Sequence, residues 1–394
     1  MSHLNTGIER RRFLQGSAGL GLLGLAGCAT AGGVAAPAGP SIRLAPIRAR
    51  ADRLFDITVC LRPFRAAGPR LDTEMVGDTL VVHNYGHGGS GWSLSWGSGT
   101  IAVGKAMANS PKEVAVIGCG ALGLTTAVLA LKMGCSVTLY AKDLLAQTRS
   151  VRATGSWTPD SRIALTEPAG PTFGELWERM ARISWKTYRS YLGMAGRPVE
   201  FGDRYNLADV PFDQNNAKYF PPASLSFAHY GSRIADLTPS VQTVPAGTTP
   251  FPAPYVRRTE NLQFNIASYG QTLLAQFYAM GGRMEVREFH APSDFTQLRQ
   301  KVVINCTGYG ARALWKDESL VPVRGQIGWL IPQPEVTYGV NYRGVQMLPR
   351  SDGIVIQMLE GGDMRGYNDA TEVVDRAEAE EAVSRIAALY SHAS

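Results

Sequence analysis

The sequence VAVIGCGALG, residues 114–123, joins a short apolar run to three glycines in the spacing GxGxxG. The apolar run at 114–117 predicts a buried strand, and the apolar residues 124–133 predict a helix. A further strand is predicted for residues 136–140. A strand, a turn, a helix and a second strand in this order are typical of a dinucleotide-binding domain, so we expect an α/β fold.

Each glycine of the turn has a separate expected task. Gly118 makes the tight turn, Gly120 lets a pyrophosphate approach the backbone, and Gly123 lets helix and strand pack closely. Phosphates bind at a helix N-terminus, and here the predicted helix follows the turn directly. The stretch therefore predicts a dinucleotide site in a Rossmann-like domain.

The residues after the second strand leave the dinucleotide open. An acidic residue that binds the ribose hydroxyls is expected there, but Lys142 stands in that place and Asp143 follows it. Either Asp143 binds the ribose, or Lys142 binds a phosphate as in an NADP site.

A second glycine-rich stretch, VVHNYGHGGSGWSLSWG, occupies residues 81–97. Its glycines lie among histidines, a tyrosine and two tryptophans, which is not the composition of a linker. The serines after Trp92 favour a helix N-terminus, and the apolar run at 101–107 predicts the helix body. We expect a glycine loop and helix N-terminus that hold an anionic or electron-rich group, with a tight structural turn as the alternative.

Hydrophobic periodicity predicts the other elements. Strands are predicted at 54–62, 79–83, 284–289, 301–305, 345–348 and 354–359, a turn at 349–353, and helices at 173–192, 266–280 and 369–390. Residues 201–262 are rich in Pro, Tyr and Phe without sustained periodicity. They predict strands and long loops of a second domain.

Composition excludes several classes of protein. The chain has 394 residues, 45% of them hydrophobic, which allows two domains or one large α/β body. The formal net charge is +6, but basic residues are scattered among acidic ones, so no nucleic-acid partner is expected. Cys60, Cys119, Cys135 and Cys306 have no metal-ligand spacing, so no metal site is expected.

The first 27 residues form a separate segment. The order Arg-Arg-x-Phe-Leu at residues 10–14 resembles a twin-arginine export signal, and Leu-Ala-Gly-Cys, ending at Cys28, resembles a lipoprotein cleavage box. We expect an export signal at 1–27, a linker at 28–53, and a periplasmic or cell-envelope protein tethered to the membrane through lipidated Cys28. An export signal with an unmodified Cys28 is the alternative.

Four motifs accompany the GxGxxG turn. They are ATGSW at 153–157, INCTG at 304–308, RGQI at 324–327, and HNYGHGGSG at 83–91 with Trp-Gly at 96–97. Together the motifs resemble those of the D-amino-acid oxidase family of flavoproteins. The resemblance implies an FAD-binding domain of residues 72–165 and 258–312, interleaved with an antiparallel-sheet substrate domain of residues 54–71, 166–257 and 313–394.

The order of these motifs departs from the family's order. The family's HNYGHGGxG signature lies near the C-terminus, whereas here it precedes the dinucleotide fold. Residues 54–107 resemble the family's last segment moved to the front, and residues 108–113 would join the old ends. A circular permutation is tolerated when the old termini can be bridged by a short loop, so we expect the same fold.

The resemblance implies four residues for the substrate. Arg62, in Leu-Arg-Pro, matches the family's carboxylate-binding arginine, and a guanidinium can hold a carboxylate bidentately. Tyr342 matches a lid tyrosine that also reaches the carboxylate, and Gln346 replaces a second active-site tyrosine. The substrate amine is expected to donate to the carbonyl of Gly89. Asp160, near the expected side-chain pocket, favours neutral or basic over acidic side chains.

The resemblance also implies the residues that bind FAD. The helix N-terminus at Trp92 and Ser93 would face negative charge on the reduced flavin. His83 and His87 are not assigned as bases, because the α-hydrogen leaves as hydride. The implied FAD-binding residues are Gly88, Gly89, Gly91, Trp92, Ser93, Gly118, Gly120, Ala121, Leu122, Gly123, Lys142, Asp143, Gly155, Ser156, Thr307 and Gly308.

The implied activity is oxidative deamination of D-amino acids to 2-oxo acids, ammonia and hydrogen peroxide, with hydride transfer from the α-carbon to flavin N5 and dioxygen as the acceptor. One alternative is a flavin-dependent dehydrogenase that passes electrons to a membrane quinone. An NADP-dependent dehydrogenase is another, and its purified form would lack flavin absorption. An inactive cofactor-bearing binding protein is the third alternative, suggested by Gln346 and the permuted order.

Overall fold

The structure of the protein, a computed structural model, describes residues 42–390. The export signal predicted for 1–27, the lipidation site at Cys28 and the first part of the predicted linker lie outside the described residues. Within residues 42–390 no helix is long and apolar enough to cross a membrane. Over this range the chain forms one β-sheet of six strands and one of eight.

The described residues contain fourteen strands and eight α-helices. The strands are β1 (Leu54–Arg65), β2 (Thr73–Val76), β3 (Thr79–His83), β4 (Glu113–Ile117), β5 (Ser136–Ala141), β6 (Val199–Ala208), β7 (Gln242–Val244), β8 (Tyr255–Phe264), β9 (Arg283–Val286), β10 (Val302–Asn305), β11 (Leu320–Leu330), β12 (Tyr338–Tyr342), β13 (Val345–Arg350) and β14 (Gly353–Met358). The helices are α1 (Gly91–Ala106), α2 (Ala121–Lys132), α3 (Thr166–Ala169), α4 (Phe173–Tyr188), α5 (Phe212–Tyr219), α6 (Ile266–Ala279), α7 (Ala311–Leu314) and α8 (Arg376–Ala387).

The six-stranded sheet has the order β2–β3–β10–β4–β5–β9. All its neighbouring strands run parallel except β2 and β3. The loops that follow β3, β10 and β4 therefore meet at one edge, since these three strands are adjacent and point the same way. The expected mixed α/β fold with a Rossmann-like sheet is confirmed.

The eight-stranded sheet has the order β1–β11–β14–β13–β12–β6–β8–β7. Its neighbours are antiparallel except β12 and β6. One face packs against α8, where Tyr338, Ile354 and Ile356 form a core with Ile386. Because side chains alternate between faces along a strand, the residues between these apolar positions lie on the opposite face, which forms a wall of the candidate site.

Two strands continue through prolines at which the sequence predicted an end. β1 passes through Pro63, which is tolerated because β1 is an edge strand. β13 passes through Pro349 to Arg350, so the predicted turn shortens to residues 351–352. The register that follows from these continuous strands fixes which side chains reach the candidate site.

The last helix begins later than predicted, at Arg376 instead of near residue 369. Asp375 caps it by accepting a 3.0 Å hydrogen bond from the Glu378 N–H. The preceding residues are held outside the helix because Arg324 donates to the carbonyls of Thr371 and Val373.

The four cysteines of the described residues are free and buried. Burial raises the pKa of Cys119 to about 11 and that of Cys306 to about 12, so both remain thiols. In residues 42–390 no group of His, Cys, Asp and Glu side chains could hold a metal ion.

Candidate active site

The loop between β3 and α1 carries backbone where side chains have no room. Gly88 has φ +53°, and a Cβ there would lie 1.9 Å from the carbonyl oxygen of Arg162. The Gly89 N–H donates to the Ser161 carbonyl at 2.9 Å. Only glycine at residue 88 lets the loop lie this close to the Arg162 carbonyl. The hydrogen bond between Gly89 and Ser161 then holds the loop and the first turn of α1 in place.

Ser150 connects the N-termini of α1 and α2. Its carbonyl accepts from the indole Nε1 of Trp92 at 2.8 Å, and its hydroxyl accepts from the Ala121 N–H at 3.0 Å. The Ser93 hydroxyl accepts from the Thr158 N–H at 2.9 Å and keeps its own proton available to donate. Two helix N-termini, each with a positive partial charge, are thereby brought to one region.

The GxGxxG turn has the geometry that its sequence predicts. Gly118 has φ +109°, and the chain turns there from β4 toward α2. A Cβ at Gly123 would lie 1.8 Å from the carbonyl oxygen of Gly118, so any larger residue would push α2 away from the turn. The N-terminus of α2 follows at Gly120, and apart from the Ala121 N–H, which donates to Ser150, the N–H groups of its first turn would meet a phosphate.

The neighbouring loops leave room and hydrogen-bonding groups for a cofactor. A Cβ at Gly91 or Gly308 would meet no atom of residues 42–390 within 4 Å. The Ser156 hydroxyl is buried without a hydrogen-bond partner in the described residues. Gly155 lies beside Ser156, and Thr307 lies beside Gly308. The backbone turns at both places. Open space beside glycine backbone and an unsatisfied hydroxyl fit the implied dinucleotide.

The two residues after β5 are exposed. Lys142 donates to the carboxylate of Glu288 at 3.2 Å, and Asp143 follows it on the surface. The ammonium group of Lys142 therefore has an acidic partner on the surface, and cofactor binding by Lys142 and Asp143 stays a prediction.

A cavity of about 680 Å³ lies between the loop at Gly89 and the eight-stranded sheet. Arg62 and Gln346 line it from β1 and β13, and Ser156 lines it from the loop side. Arg62 packs flat on Gly325, where a Cβ would lie 2.4 Å from its guanidinium carbon. The structure thus brings Arg62, Gly89 and Gln346 together as predicted.

The Arg62 guanidinium has no hydrogen bond or ion pair within residues 42–390. The cavity is lined by four arginines and three carboxylates, so one positive charge is unmatched. The charged residues are Arg62, Arg162, Arg324, Arg365, Asp363, Asp369 and Glu378. Burial and the nearby charge of Arg62 lower the pKa of Arg162 to about 10, and Arg162 stays cationic at neutral pH. The charged side chains of the lining therefore sum to a formal net charge of +1.

Tyr342 lies on the other face of the sheet, which corrects its predicted role. Tyr342 pairs with Val345 and Asn341 with Gln346 across the β12–β13 hairpin, so Tyr342 and Gln346 point to opposite faces. The Tyr342 hydroxyl donates to Asp209 at 2.8 Å and does not line the cavity of Arg62. Asp160 does not line this cavity either.

Both histidines of the glycine loop are buried. His83 contacts Glu74 through Nε2 at 2.7 Å and the Asn305 amide through Nδ1 at 3.1 Å. Burial and then the charge of Arg70 lower the pKa of His83. Burial alone lowers the pKa of His87 to about 3. Both rings are therefore neutral at pH 7, and neither lines the cavity of Arg62.

Sequence reasoning missed several groups in this region. Gln357 lines the cavity beside Gln346, and its signal is a polar residue inside the apolar strand GIVIQM. Arg162 lies in a loop and Ser150 in a short 3-10 helix of residues 149–152, and nothing in the surrounding sequence marks them.

A GxGxxG turn at the edge where parallel strands end is typical of a dinucleotide-binding protein, and here it lies beside a cavity that contains an unpaired arginine. The chain belongs to the DAO family of FAD dependent oxidoreductases, whose family model matches residues 113–393. Its cofactor is therefore FAD, and the NADP alternative is not retained.

Individual relatives match part of the chain. A D-amino-acid oxidase of Streptomyces coelicolor is 30% identical over 219 residues, which cover 55% of this chain and 58% of that protein. A D-amino-acid oxidase of Dictyostelium discoideum is 26% identical over 224 residues, covering 54% and 55%. The chain thus spans little more than half the length of each of these two relatives. The solved structure of an iminodiacetate oxidase from a Chelativorans species has 15% identity and a TM-score of 0.49, covering 71% of this chain and 80% of that one.

Proposed function

We propose that the protein is an FAD-dependent D-amino-acid oxidase. In the proposed reaction a D-amino acid, dioxygen and water give a 2-oxo acid, ammonia and hydrogen peroxide. Membership of the DAO family and similarity to D-amino-acid oxidases support the reaction class. The proposal rests on one feature of the cavity. The guanidinium of Arg62 is unpaired there, and the lining has one unmatched positive charge.

Arg62 would bind the substrate carboxylate through both of its terminal nitrogens. A bidentate pair fixes the plane of the carboxylate as well as its position. Its contact with Gly325 supports the guanidinium from below, which leaves its hydrogen-bonding edge free for the ligand. Orientation of the substrate therefore begins at a rigid group.

Gly89 would bind the substrate amine through its backbone carbonyl. Gly89 lines the cavity, and its N–H is already used by the Ser161 carbonyl, so the loop is fixed before substrate binds. Two fixed points, a carboxylate site and an amine site, leave the α-hydrogen and the side chain to occupy the two remaining directions. The position of the flavin is the third fixed point, because only one enantiomer can direct its α-hydrogen toward it while its carboxylate and amine are both bound, and this three-point arrangement is the proposed source of D-specificity.

FAD, when bound, would accept the α-hydrogen as hydride. The chain's own contribution is to position substrate and to place hydrogen-bond donors. The N-terminus of α1 supplies positive partial charge, and the free proton of the Ser93 hydroxyl adds a donor. No protein base is required for hydride departure, which agrees with the absence of His83 and His87 from the lining of the described cavity.

The proposed electron acceptor is dioxygen. The holoenzyme with D-alanine in air is expected to release one hydrogen peroxide per 2-oxo acid, measured with a peroxidase-coupled dye and a carbonyl assay. Reduction of a quinone analogue without peroxide would overturn the oxidase in favour of the dehydrogenase. Export through residues 1–27 and a tether at Cys28 remain part of the proposal, and either acceptor is compatible with them.

We also propose that the chain is a circular permutant of its family. The family model begins at residue 113, while the motif HNYGHGGSG lies before it at residues 83–91. The described ends of the chain lie close together, because the Tyr338 hydroxyl contacts both the Ala45 carbonyl and the Tyr390 hydroxyl, at 2.7 and 2.8 Å. A short connection could therefore join them.

A rearranged chain tests this proposal. Residues 112–390 followed by a short glycine-serine linker and residues 42–111 are expected to fold, bind FAD and oxidise D-alanine with kcat/KM within about threefold of the parent, since no packed element is cut. Failure of the rearranged chain to bind FAD, while the parent binds it, would contradict the permutation.

A further inference from the structure

Four carboxamide side chains form a row across the eight-stranded sheet. Gln357 on β14 pairs with Gln346 on β13, Gln346 pairs with Asn341 on β12, and Asn341 pairs with Asn206 on β6. Directly paired residues point to the same face, so all four amides lie on the face that carries Arg62. We call Gln357, Gln346, Asn341 and Asn206 the amide row.

The amide row runs from the cavity of Arg62 into a second cavity. Gln357 and Gln346 line the first cavity, whereas Asn341 and Asn206 line the second, of about 270 Å³. Phe220 and Leu359 line both cavities and so form the division between them. A ligand too long for the first cavity would have to pass these two apolar side chains to enter the second cavity.

The amides of the row have unused hydrogen-bonding capacity. Gln346 and Gln357 are each 7% exposed, and their side chains make no hydrogen bond within residues 42–390. The Asn341 amide donates to the Asn206 side-chain oxygen at 2.7 Å, but its own Oδ1 is buried without a partner in the described residues. Gln346 and Gln357 face the first cavity, so their amides are free to bond a ligand there, and only the Asn341 Oδ1 carries the cost of a buried polar atom without a partner.

The charges of the second cavity narrow the ligand class. Two arginines, Arg257 and Arg343, line it, and no acidic residue does so in the described part of the chain. A cationic side chain is therefore disfavoured there. Neither arginine demands an anion from the ligand, because Arg343 pairs with Asp209 at 2.7 Å and Arg257 lies over the Phe212 ring, 4.1 Å from its centroid. A neutral amide both donates and accepts hydrogen bonds, which is what the free groups of the amide row require.

We infer that the amide row is a side-chain subsite for D-amino acids whose extended side chain carries a neutral amide. The inference rests on the proposed function for the placement of the α-carboxylate at Arg62. The side chain then extends along the row, past Phe220 and Leu359, toward Asn341 in the second cavity.

Equilibrium binding to the holoenzyme tests the subsite without turnover. The probes are 6-acetamidohexanoate and nonanoate, two carboxylates of equal chain length that lack an α-amine, measured by calorimetry. Asn341→Leu is expected to weaken binding of 6-acetamidohexanoate about tenfold and to change that of nonanoate less than about threefold. Asn261→Leu removes an amide of β8 that lines neither cavity, and it is expected to bind both probes as the parent does.

Three results would overturn the inference. They are equal weakening of both probes by Asn341→Leu, no weakening of 6-acetamidohexanoate, and tighter binding of nonanedioate than of 6-acetamidohexanoate by the parent. If Asn341→Leu does not fold, Gln357→Met makes the same comparison in the first cavity, with the same expected selectivity. Selective binding of 6-acetamidohexanoate together with no oxidation of any D-amino acid would refute the proposed function and leave the subsite standing.

Discussion

Replacement of Arg62 by alanine is expected to lower kcat/KM for D-alanine about a thousandfold while FAD stays bound. The change removes the unmatched positive charge of the cavity and the bidentate partner of the substrate carboxylate. Loss of one partner from a desolvated, hydrogen-bonded charge pair costs about 2–5 kcal/mol, and each 1.4 kcal/mol is a factor of ten. The FAD content should not change, since Arg62 lies on the edge strand β1 of the eight-stranded sheet.

Two further variants separate charge from geometry. Arg62→Lys keeps the charge but not the planar fork, so an intermediate loss is expected. Arg48→Ala removes an exposed arginine that pairs with Glu335 and lines neither cavity, and it should leave kcat/KM unchanged. An Arg62→Ala enzyme with kcat/KM within threefold of the parent would refute the assignment of the carboxylate site.

Replacement of Gly123 by alanine is expected to give a protein with less than about one tenth of the parent's FAD content. A Cβ at this position would lie 1.8 Å from the carbonyl oxygen of Gly118, and because that atom belongs to the backbone no flexible side chain can move aside. The N-terminus of α2 must then shift from the turn, and overpacking of this kind costs about 1–3 kcal/mol or more. The ratio of flavin to protein absorbance measures the effect.

Gly104→Ala provides the matched control for this substitution. Gly104 lies in α1, and a Cβ there would meet no atom of the described residues within 4 Å. This variant should bind FAD as the parent does and be slightly more stable, since alanine is favoured over glycine in a helix by about 1 kcal/mol. Full FAD occupancy in Gly123→Ala would contradict the assignment of the GxGxxG turn to the cofactor.

Elements fixed by local chemistry were predicted closely. The helix predicted at 124–133 and the strand predicted at 136–140 agree with α2 and β5 within a few residues. The reason is that a continuous apolar run, a glycine turn and a glycine stop act over short distances. The glycine loop before α1 was predicted on the same grounds.

Elements fixed by tertiary contacts were not predictable. Residues near 369 continue the helical pattern of α8, but Arg324 binds their carbonyls and Asp375 sets the helix start. Ser150 joins the first turns of α1 and α2 from a loop whose sequence gives no indication of that role.

Tyr342 and Gln346 show why resemblance alone could not define the site. Both were matched to active-site tyrosines of the family, yet a two-residue turn between their strands places them on opposite faces. The same register aligns Gln346 with Gln357, eleven residues further along the chain, and with Asn341. Strand register therefore decides which polar residues share the cavity, and the sequence carries only the hint that each glutamine interrupts an apolar strand.

Anaerobic reduction of the bound flavin shows whether the protein oxidises D-amino acids. The purified holoenzyme is mixed without oxygen with matched D- and L-amino acids, and flavin absorption is followed. We expect neutral D-amino acids to bleach the flavin, their L-enantiomers to leave it oxidised, and air to restore the absorption. Bleaching by L-enantiomers at equal rates, or by none of the D-amino acids, would contradict the account.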